Sequence, residues 1–283
     1  MTARAALGSG ERVGAYRIVR RMAEGGMGAV YEAIDAAGGR VALKVLHAEH
    51  ASDPEVRRRF RRESSVLGAL EHPCIVRVLD MGTDEASRCY TVMELLEGET
   101  LEARLARTPA LGTSELAAIV RGICEGLECA HAHGVVHGDL KPANVFLPVA
   151  GPAAVKLLDF GLSKILGLER LTRTGELRGT PAYMAPELLT GERDVDRRAD
   201  VYAVGVILYR ALSGRLPFVE RNPGRLLFEV VTGRCVPLRQ ARPDVPPALE
   251  RVVARAMAVR PADRFETARE LGEAFERAIA SRP

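Results

Sequence analysis

The chain has 283 residues, enough for about two domains, or for one domain of two lobes with a sizeable core. Its 47% hydrophobic and 27% charged residues exclude the disordered and fibrous classes. A formal charge of +3 is too weak a bias to point to nucleic acid, and five cysteines without a CxxC pair favour neither a disulfide framework nor a zinc site, which fits a reducing cytoplasm.

Residues 1–15 read as an N-terminal extension without the apolar core of a secretory signal. From Tyr16 to Glu94 the runs YRIVRRM, AVYEAID, RVALKVL, IVRVLDMG and CYTVME are rich in β-branched residues and split by turn residues, predicting strands. One long helix interrupts them, opened by the capping box Ser52-Asp53-Pro54-Glu55, with Phe60, Glu63, Leu67 and Leu70 on one face. From about Gly98 the periodicity turns helical, over roughly 113–133, 196–213, 222–232, 247–258 and 266–280, with short strands near Val145 and Leu157. The expected architecture is α+β, with a β-rich N-lobe over 16–93, a hinge at 94–97 and a mainly α-helical C-lobe over 98–280. The longest apolar run, Val201 to Tyr209, is about half of what spans a bilayer, so no membrane segment is expected in this chain. An anchor beyond Pro283 is left open.

The segment Met22-Ala23-Glu24-Gly25-Gly26-Met27-Gly28-Ala29-Val30 joins two strand-like runs, where small residues let a turn approach phosphates. Because its glycines join strand to strand, it is not a dinucleotide-binding fingerprint. Alone it is equally a plain glycine-rich hairpin. In Val41-Ala42-Leu43-Lys44-Val45 an apolar strand carries one lysine, and Glu63 on the following helix is a candidate partner that would hold the ammonium toward phosphates. Glu63 could equally make surface pairs with neighbouring arginines.

Further on, Val136-His137-Gly138-Asp139-Leu140-Lys141-Pro142-Ala143-Asn144 is followed by Leu158-Asp159-Phe160-Gly161. Two carboxylates and an amide in this order suit phosphoryl transfer, which needs a base to orient a hydroxyl and hard oxygen ligands for Mg²⁺.

On these motifs the chain resembles the eukaryotic-type (Hanks-type) protein serine/threonine kinases of the bacterial branch, from about Tyr16 to Ile279. The likeness continues through Gly179-Thr180-Pro181-Ala182-Tyr183-Met184-Ala185-Pro186-Glu187, Asp200 at a helix start, and Arg264, a partner for Glu187 in the family. The resemblance implies a bilobal protein-kinase fold over 16–280. It implies that Lys44, braced by Glu63, binds the α- and β-phosphates of ATP, that Asp139 is the catalytic base, and that Lys141 neutralises the γ-phosphate. Asn144 and Asp159 would coordinate Mg²⁺. Met93 would be the gatekeeper, Glu94 and Leu96 would offer hinge backbone groups to adenine, and Met22, Val30, Ala42 and Phe146 would sandwich the ring.

Lys141 and Thr180 resemble the serine/threonine rather than the tyrosine branch, so Ser or Thr acceptors on proteins are implied. Self-association for autophosphorylation is a further expectation. Thr100 and Ala143 stand where basic-directed relatives carry arginine-selecting glutamates, so no strongly basic consensus is expected. A pseudokinase scaffold that keeps the fold without chemistry, and a small-molecule kinase, are the competing classes. Retention of Lys44, Glu63, Asp139, Asn144 and Asp159 weighs against the first, and the 179–187 stretch against the second.

Two departures stand out. Ala23 replaces the leading glycine of the phosphate loop, tolerable if its φ is negative. Gly138 replaces the arginine that in many relatives anchors a phosphorylated loop, which implies activity less dependent on phosphorylation at Thr172 or Thr174. Arg59 and Lys164 are alternative members of a basic pocket. Among the histidines, His131 and His133 end a helix, where the helix C-terminus accounts for them. His47, His50 and His72 show no metal spacing, and His137 is expected to be structural.

Overall fold

The computed structural model describes residues 7–25, 28–48, 58, 68, 70–160, 181–192, 194–220 and 222–281. They fall into two compact units, residues 1–71 with 76–97, and residues 72–75 with 98–283.

The first unit is a six-stranded antiparallel sheet of β1 (Arg12–Val13), β2 (Tyr16–Glu24), β3 (Gly28–Ile34), β4 (Arg40–Leu46), β5 (Val78–Thr83) and β6 (Cys89–Glu94), ordered β1-β2-β3-β4-β6-β5. The runs read as strands from β-branched content are strands here. Val13, Ile18, Tyr31, Ala33, Leu43, Val45, Tyr90 and Val92 form its core cluster. Val13 therefore packs with the sheet, although nothing in Met1–Ala15 signals a strand. Glu32 is buried between Arg20 and Arg40, with oxygen–nitrogen separations of 2.8 and 2.7 Å. The Arg40 hydrogen bond holds its carboxyl below the usual range against the opposing effect of burial.

One expected strand is shorter than its run suggested. Ile75 to Arg77 do not join β5; Ile75 instead makes a parallel bridge with Leu157 in the second unit. The capped helix from Ser52 falls almost wholly outside the described residues, of which Arg58 and Gly68 are helical.

The second unit starts with β7 (Gly98–Thr100), α1 (Leu101–Arg107) and α2 (Thr113–Ala132). A 3₁₀ turn at Pro142–Asn144 leads into β8 (Val145–Pro148), and β9 (Lys156–Leu157) completes the sheet β7-β8-β9. After a second 3₁₀ turn, Pro181–Tyr183, come α3 (Pro186–Thr190), α4 (Arg198–Ser213), α5 (Pro223–Thr232), α6 (Leu238–Ala241), α7 (Pro247–Ala256) and α8 (Ala268–Ala280). The α4 sequence is apolar on all sides and is buried almost throughout from Ala199 to Leu212, as a helix without a polar face must be. Leu116, Ile123 and Leu127 of α2, with Val155 and Leu157, are fully buried and fix β9 and its neighbours. Thr100 caps α1 by accepting from Ala103 N at 3.2 Å, and Thr267 caps α8 by accepting from Glu270 N at 3.1 Å. Among the described residues no helix is long and apolar enough to cross a membrane.

Candidate active site

In the first unit, strand register collects the nucleotide-site residues expected from sequence. Val30 lies opposite Lys44 across β3 and β4, while Ala42 lies opposite Met93 across β4 and β6. Residues directly opposite share a face, as do residues two apart on one strand. Val30, Ala42, Lys44 and Met93 therefore share one face, and Tyr31, Leu43, Val45 and Val92 point the other way into the core cluster. Alternation alone separates the lysine from the core.

The loop joining β2 and β3 is closed by Gly25 N–H donating to Gly28 O at 2.8 Å. Gly26 and Met27 lie outside the described residues. A Cβ on Gly28 would sit 2.2 Å from Val45 O, so β3 approaches β4 there as only glycine allows. Ala23 pairs with Val30 as an ordinary strand residue. Among the described non-glycine residues only Ser87 and Asp159 have positive φ, so the extra methyl at 23 is accommodated. Met22 is 40% exposed beside a register shift, and Glu24 is ion-paired with Arg21. His47 Nε2 lies 2.9 Å from Gly25 O, a loop contact that its lack of metal spacing did not reveal. Glu94 donates its N–H to Arg77 O at 3.0 Å and accepts Arg77 N–H on its carboxylate at 2.8 Å, while Leu96 is half-buried.

In the second unit the loop from His137 to Asn144 is tied together by its own polar groups. Asn144 Nδ2 donates to the Asp139 carbonyl at 2.8 Å, and Lys141 Nζ donates to Asp139 Oδ2 at 2.6 Å. The Asp139 side chain keeps 19% exposure. Asp139 N–H donates to His137 Nδ1 at 3.3 Å, which leaves Nε2 as the protonated ring nitrogen, and it donates to Leu158 O at 2.9 Å. The fully buried His137 also stacks at a tilt on Phe160, with centroids 4.6 Å apart. Leu158 N–H donates to Asn144 O at 2.9 Å, so the segments that carry Asn144 and Asp159 are pinned to one another. Asp159 has a φ of 58°, a left-handed conformation rare for a non-glycine residue and characteristic of functional turns. Phe146 sits in β8 opposite Thr100.

Asp200, in the first turn of α4, holds this loop from beneath. Its Oδ2 accepts His137 N–H at 2.8 Å and its Oδ1 accepts Gly138 N–H at 2.9 Å. His131 Nε2 lies 2.7 Å from the same carboxylate. Burial pushes the Asp200 carboxyl up, but the His131 hydrogen bond, the two nearby imidazoles and Gly138 N–H together hold it below its usual value. The helix-end account of His131 is thereby corrected: its ring is buried against Asp200, a partner far away in sequence. His133 does keep to the helix end, its Nδ1 lying 2.8 Å from Cys129 O.

Gly138 has a φ of +71°. Any side chain there meets the left-handed penalty, so Gly138→Ala is expected to lower stability by about 1 kcal/mol in chemical denaturation. A variant as stable as the parent would show that the Asp200 contact leaves this backbone free to relax.

Glu63, Thr180, Thr172, Thr174, Arg59 and Lys164 lie outside the described residues. Beyond them, Arg264 grips Glu187 through both Nη atoms at 2.6 and 2.7 Å, the pairing expected from the sequence. Sequence reasoning missed the cluster of Glu102, Tyr183 and Arg210, in which the Arg210 guanidinium donates to both other side chains. No local pattern marks it, because Glu102 and Arg210 stand 108 positions apart.

Carboxylate, lysine and amide held rigidly beside a positive-φ aspartate are suited to orienting a hydroxyl and neutralising phosphate charge, and with this fold they define a chain of the protein-kinase class. The protein kinase domain family matches residues 16–273, and the chain belongs to that family. It is 41% identical over 275 residues to the serine/threonine-protein kinase Pkn1 of Myxococcus xanthus, covering 96% of this chain but 39% of that one. The chain thus spans about two fifths of that relative's length. Among solved structures, the Mycobacterium tuberculosis PknI kinase domain aligns with a TM-score of 0.79 at 34% identity, covering 97% of this chain and 100% of that one. Rad53 in complex with AMP-PNP aligns with a TM-score of 0.76 at 27% identity, covering 92% and 64%. The bilobal kinase fold, with a β-sheet N-lobe and a helical C-lobe, is the fold of this chain.

Proposed function

We propose that the chain is a serine/threonine protein kinase that transfers the γ-phosphoryl group of ATP to protein hydroxyls. The observation that carries this is the Asp139 carboxylate, part-exposed and fixed by Lys141 beside a loop pinned by Asp200. Asp139 would accept the acceptor's proton as the hydroxyl attacks phosphorus, and Lys141 would follow the phosphoryl oxygens. Lys44, braced by Glu63, would hold the α- and β-phosphates beneath the turn of residues 22–28. Glu94 and Leu96 would offer hinge backbone groups to adenine. Met22, Val30, Ala42, Met93 and Phe146 supply apolar contact for the ring, and Thr180 would face the acceptor. ATP use fits the AMP-PNP complex of Rad53.

The site also fits Mg²⁺. Asn144, its Nδ2 engaged by the Asp139 carbonyl, would bring an amide oxygen, and Asp159 would bring a carboxylate, both hard oxygen donors. When bound, the ion would supply positive charge that neutralises the phosphates. The domain would run from 16 to 280, with 94–97 as its hinge. All five cysteines are free, which agrees with a cytoplasmic location.

The test is incubation with ATP and Mg²⁺ together with a generic protein substrate, followed by phosphosite mapping. Phosphoserine or phosphothreonine on substrate and chain is the expected result, the latter consistent with self-association. Nucleotide binding without any transfer would point to the scaffold reading instead.

Gly138 leaves no adjacent arginine to anchor a phosphorylated loop. Replacing Thr172 and Thr174 by alanine together is therefore expected to leave turnover on an exogenous substrate within about threefold, against the more than tenfold loss that charge-assisted anchoring would give. Abolished turnover would contradict constitutive activity.

A further inference from the structure

The 3₁₀ turn Pro181–Tyr183 and the residues after it are packed almost entirely by apolar contact, with Pro181, Ala182, Met184 and Ala185 buried. Such packing is non-directional and does not by itself fix the turn's orientation. Among the described residues, the side-chain hydrogen bond that residues 181–185 make to another element comes from Tyr183. Its hydroxyl accepts from Arg210 Nη1 at 2.7 Å. The same nitrogen donates to Glu102 Oε2 at 2.7 Å, and Nη2 donates to Glu102 Oε1 at 2.8 Å. The guanidinium thus binds the carboxylate of α1 as a fork and directs a further Nη1 hydrogen at the turn.

The burial of the three groups is graded. Tyr183 is 4% exposed, the Arg210 side chain 19% and the Glu102 side chain 44%. Burial pushes the Tyr183 hydroxyl up to about 12, so it stays protonated at physiological pH. The Glu102 side chain is open to water, whereas Tyr183 is a buried residue. The brace therefore acts on the turn more than on α1.

We propose that Arg210, preset by Glu102, is a positioning residue for the acceptor-binding segment 181–185, acting through Tyr183 Oη. This rests on the serine/threonine kinase reading, in which that segment seats the substrate peptide. The Arg210 hydrogen bonds go to Glu102 and Tyr183 and not to the Asp139 loop, so its loss is expected to weaken protein-substrate binding and to leave nucleotide binding alone.

The test uses the whole chain with Tyr183→Phe, Arg210→Met and the double variant. Tyr183→Phe is nearly isosteric and keeps the Arg210–Glu102 pair, so folding is preserved. Amide hydrogen exchange at Met184 to Leu188 is expected to quicken about tenfold in each single variant, and KM for a protein substrate to rise by a similar factor while KM for ATP stays unchanged. The double variant is expected to match either single at the turn, because both remove the same Arg210–Tyr183 hydrogen bond. Arg210→Lys, which keeps a charged donor, is expected to recover part of the loss. Unchanged exchange in both singles, multiplicative effects in the double, or an equal rise in KM for ATP would overturn the positioning role. A parent chain without phosphoryl transfer would overturn the kinase reading, and with it the seating of an acceptor; the exchange data would then decide the brace separately.

Discussion

Asp139→Asn is expected to lower the rate of phosphoryl transfer by about 10²–10⁴-fold while leaving thermal unfolding and nucleotide affinity close to the parent's. The substitution keeps the size of the side chain and removes its basicity. The loop does not depend on that charge for its shape. Asn144 Nδ2 holds the backbone carbonyl of residue 139, His137 Nδ1 receives its N–H, and Asp200 holds the two preceding N–H groups. An asparagine oxygen can still accept from Lys141. What disappears is the carboxylate proposed as proton acceptor, and with it the charge 2.6 Å from the Lys141 ammonium. Radiolabel transfer from ATP, with melting and nucleotide-analogue binding measured on the same preparation, separates lost chemistry from lost structure. A variant that retained more than a tenth of the parent's turnover would exclude Asp139 as base. A variant that also melted early would mean that the Lys141 pair carries structural weight.

The elements that were legible in the sequence are those whose signal is local. Alternation in Val41-Ala42-Leu43-Lys44-Val45 names both the strand and the side that its lysine takes, and the β3–β4 and β4–β6 registers then carry Val30 and Met93 to that face. Helix periods placed α2, α4, α5, α7 and α8 within two residues at every end, since an apolar stripe or a fully apolar helix is written into consecutive residues. Where pairing is long-range the sequence is silent. Ile75 has the composition of a strand residue but bridges Leu157, and its neighbours leave β5. His131 looks like a helix-end histidine until α4 brings Asp200 to its Nε2. Gly138 reads as a missing arginine, whereas the fold adds that its backbone occupies left-handed space and is bonded to Asp200. The Tyr183 brace belongs with these: three residues of ordinary type acquire a role only when α1, α4 and the 3₁₀ turn meet.

Arg264→Leu is expected to destabilise the helical unit by about 3–5 kcal/mol, the usual consequence of leaving one member of a buried ion pair alone. At roughly 2–4 °C per kcal/mol for a unit of this size, the melting temperature should fall by about 6–20 °C. The size of the effect follows from satisfaction as much as from charge. Arg264 has five N–H donors, and each has an acceptor: both Glu187 oxygens, Ala258 O at 2.8 Å, and Arg198 O and Val259 O at 2.9 Å each. Its side chain has no exposure and that of Glu187 has 5%. Leucine would leave a buried carboxylate without a countercharge and three carbonyls without donors. Glu187→Gln should be milder, because the guanidinium keeps its three carbonyls and an amide oxygen. Glu187→Gln with Arg264→Leu should lose less than the two singles added together, since the stranded carboxylate is gone. Additive losses would mean that the two side chains act independently. The position of the pair makes this more than a matter of stability. Glu187 lies in the first turn of α3, which begins right after the 181–185 segment, and Arg198 O belongs to the first turn of α4, two residues before Asp200. One guanidinium therefore fixes the helix that follows the 181–185 segment to the helix that holds the Asp139 loop. Partial unfolding in Arg264→Leu should begin at that junction and appear first as faster amide exchange in α3.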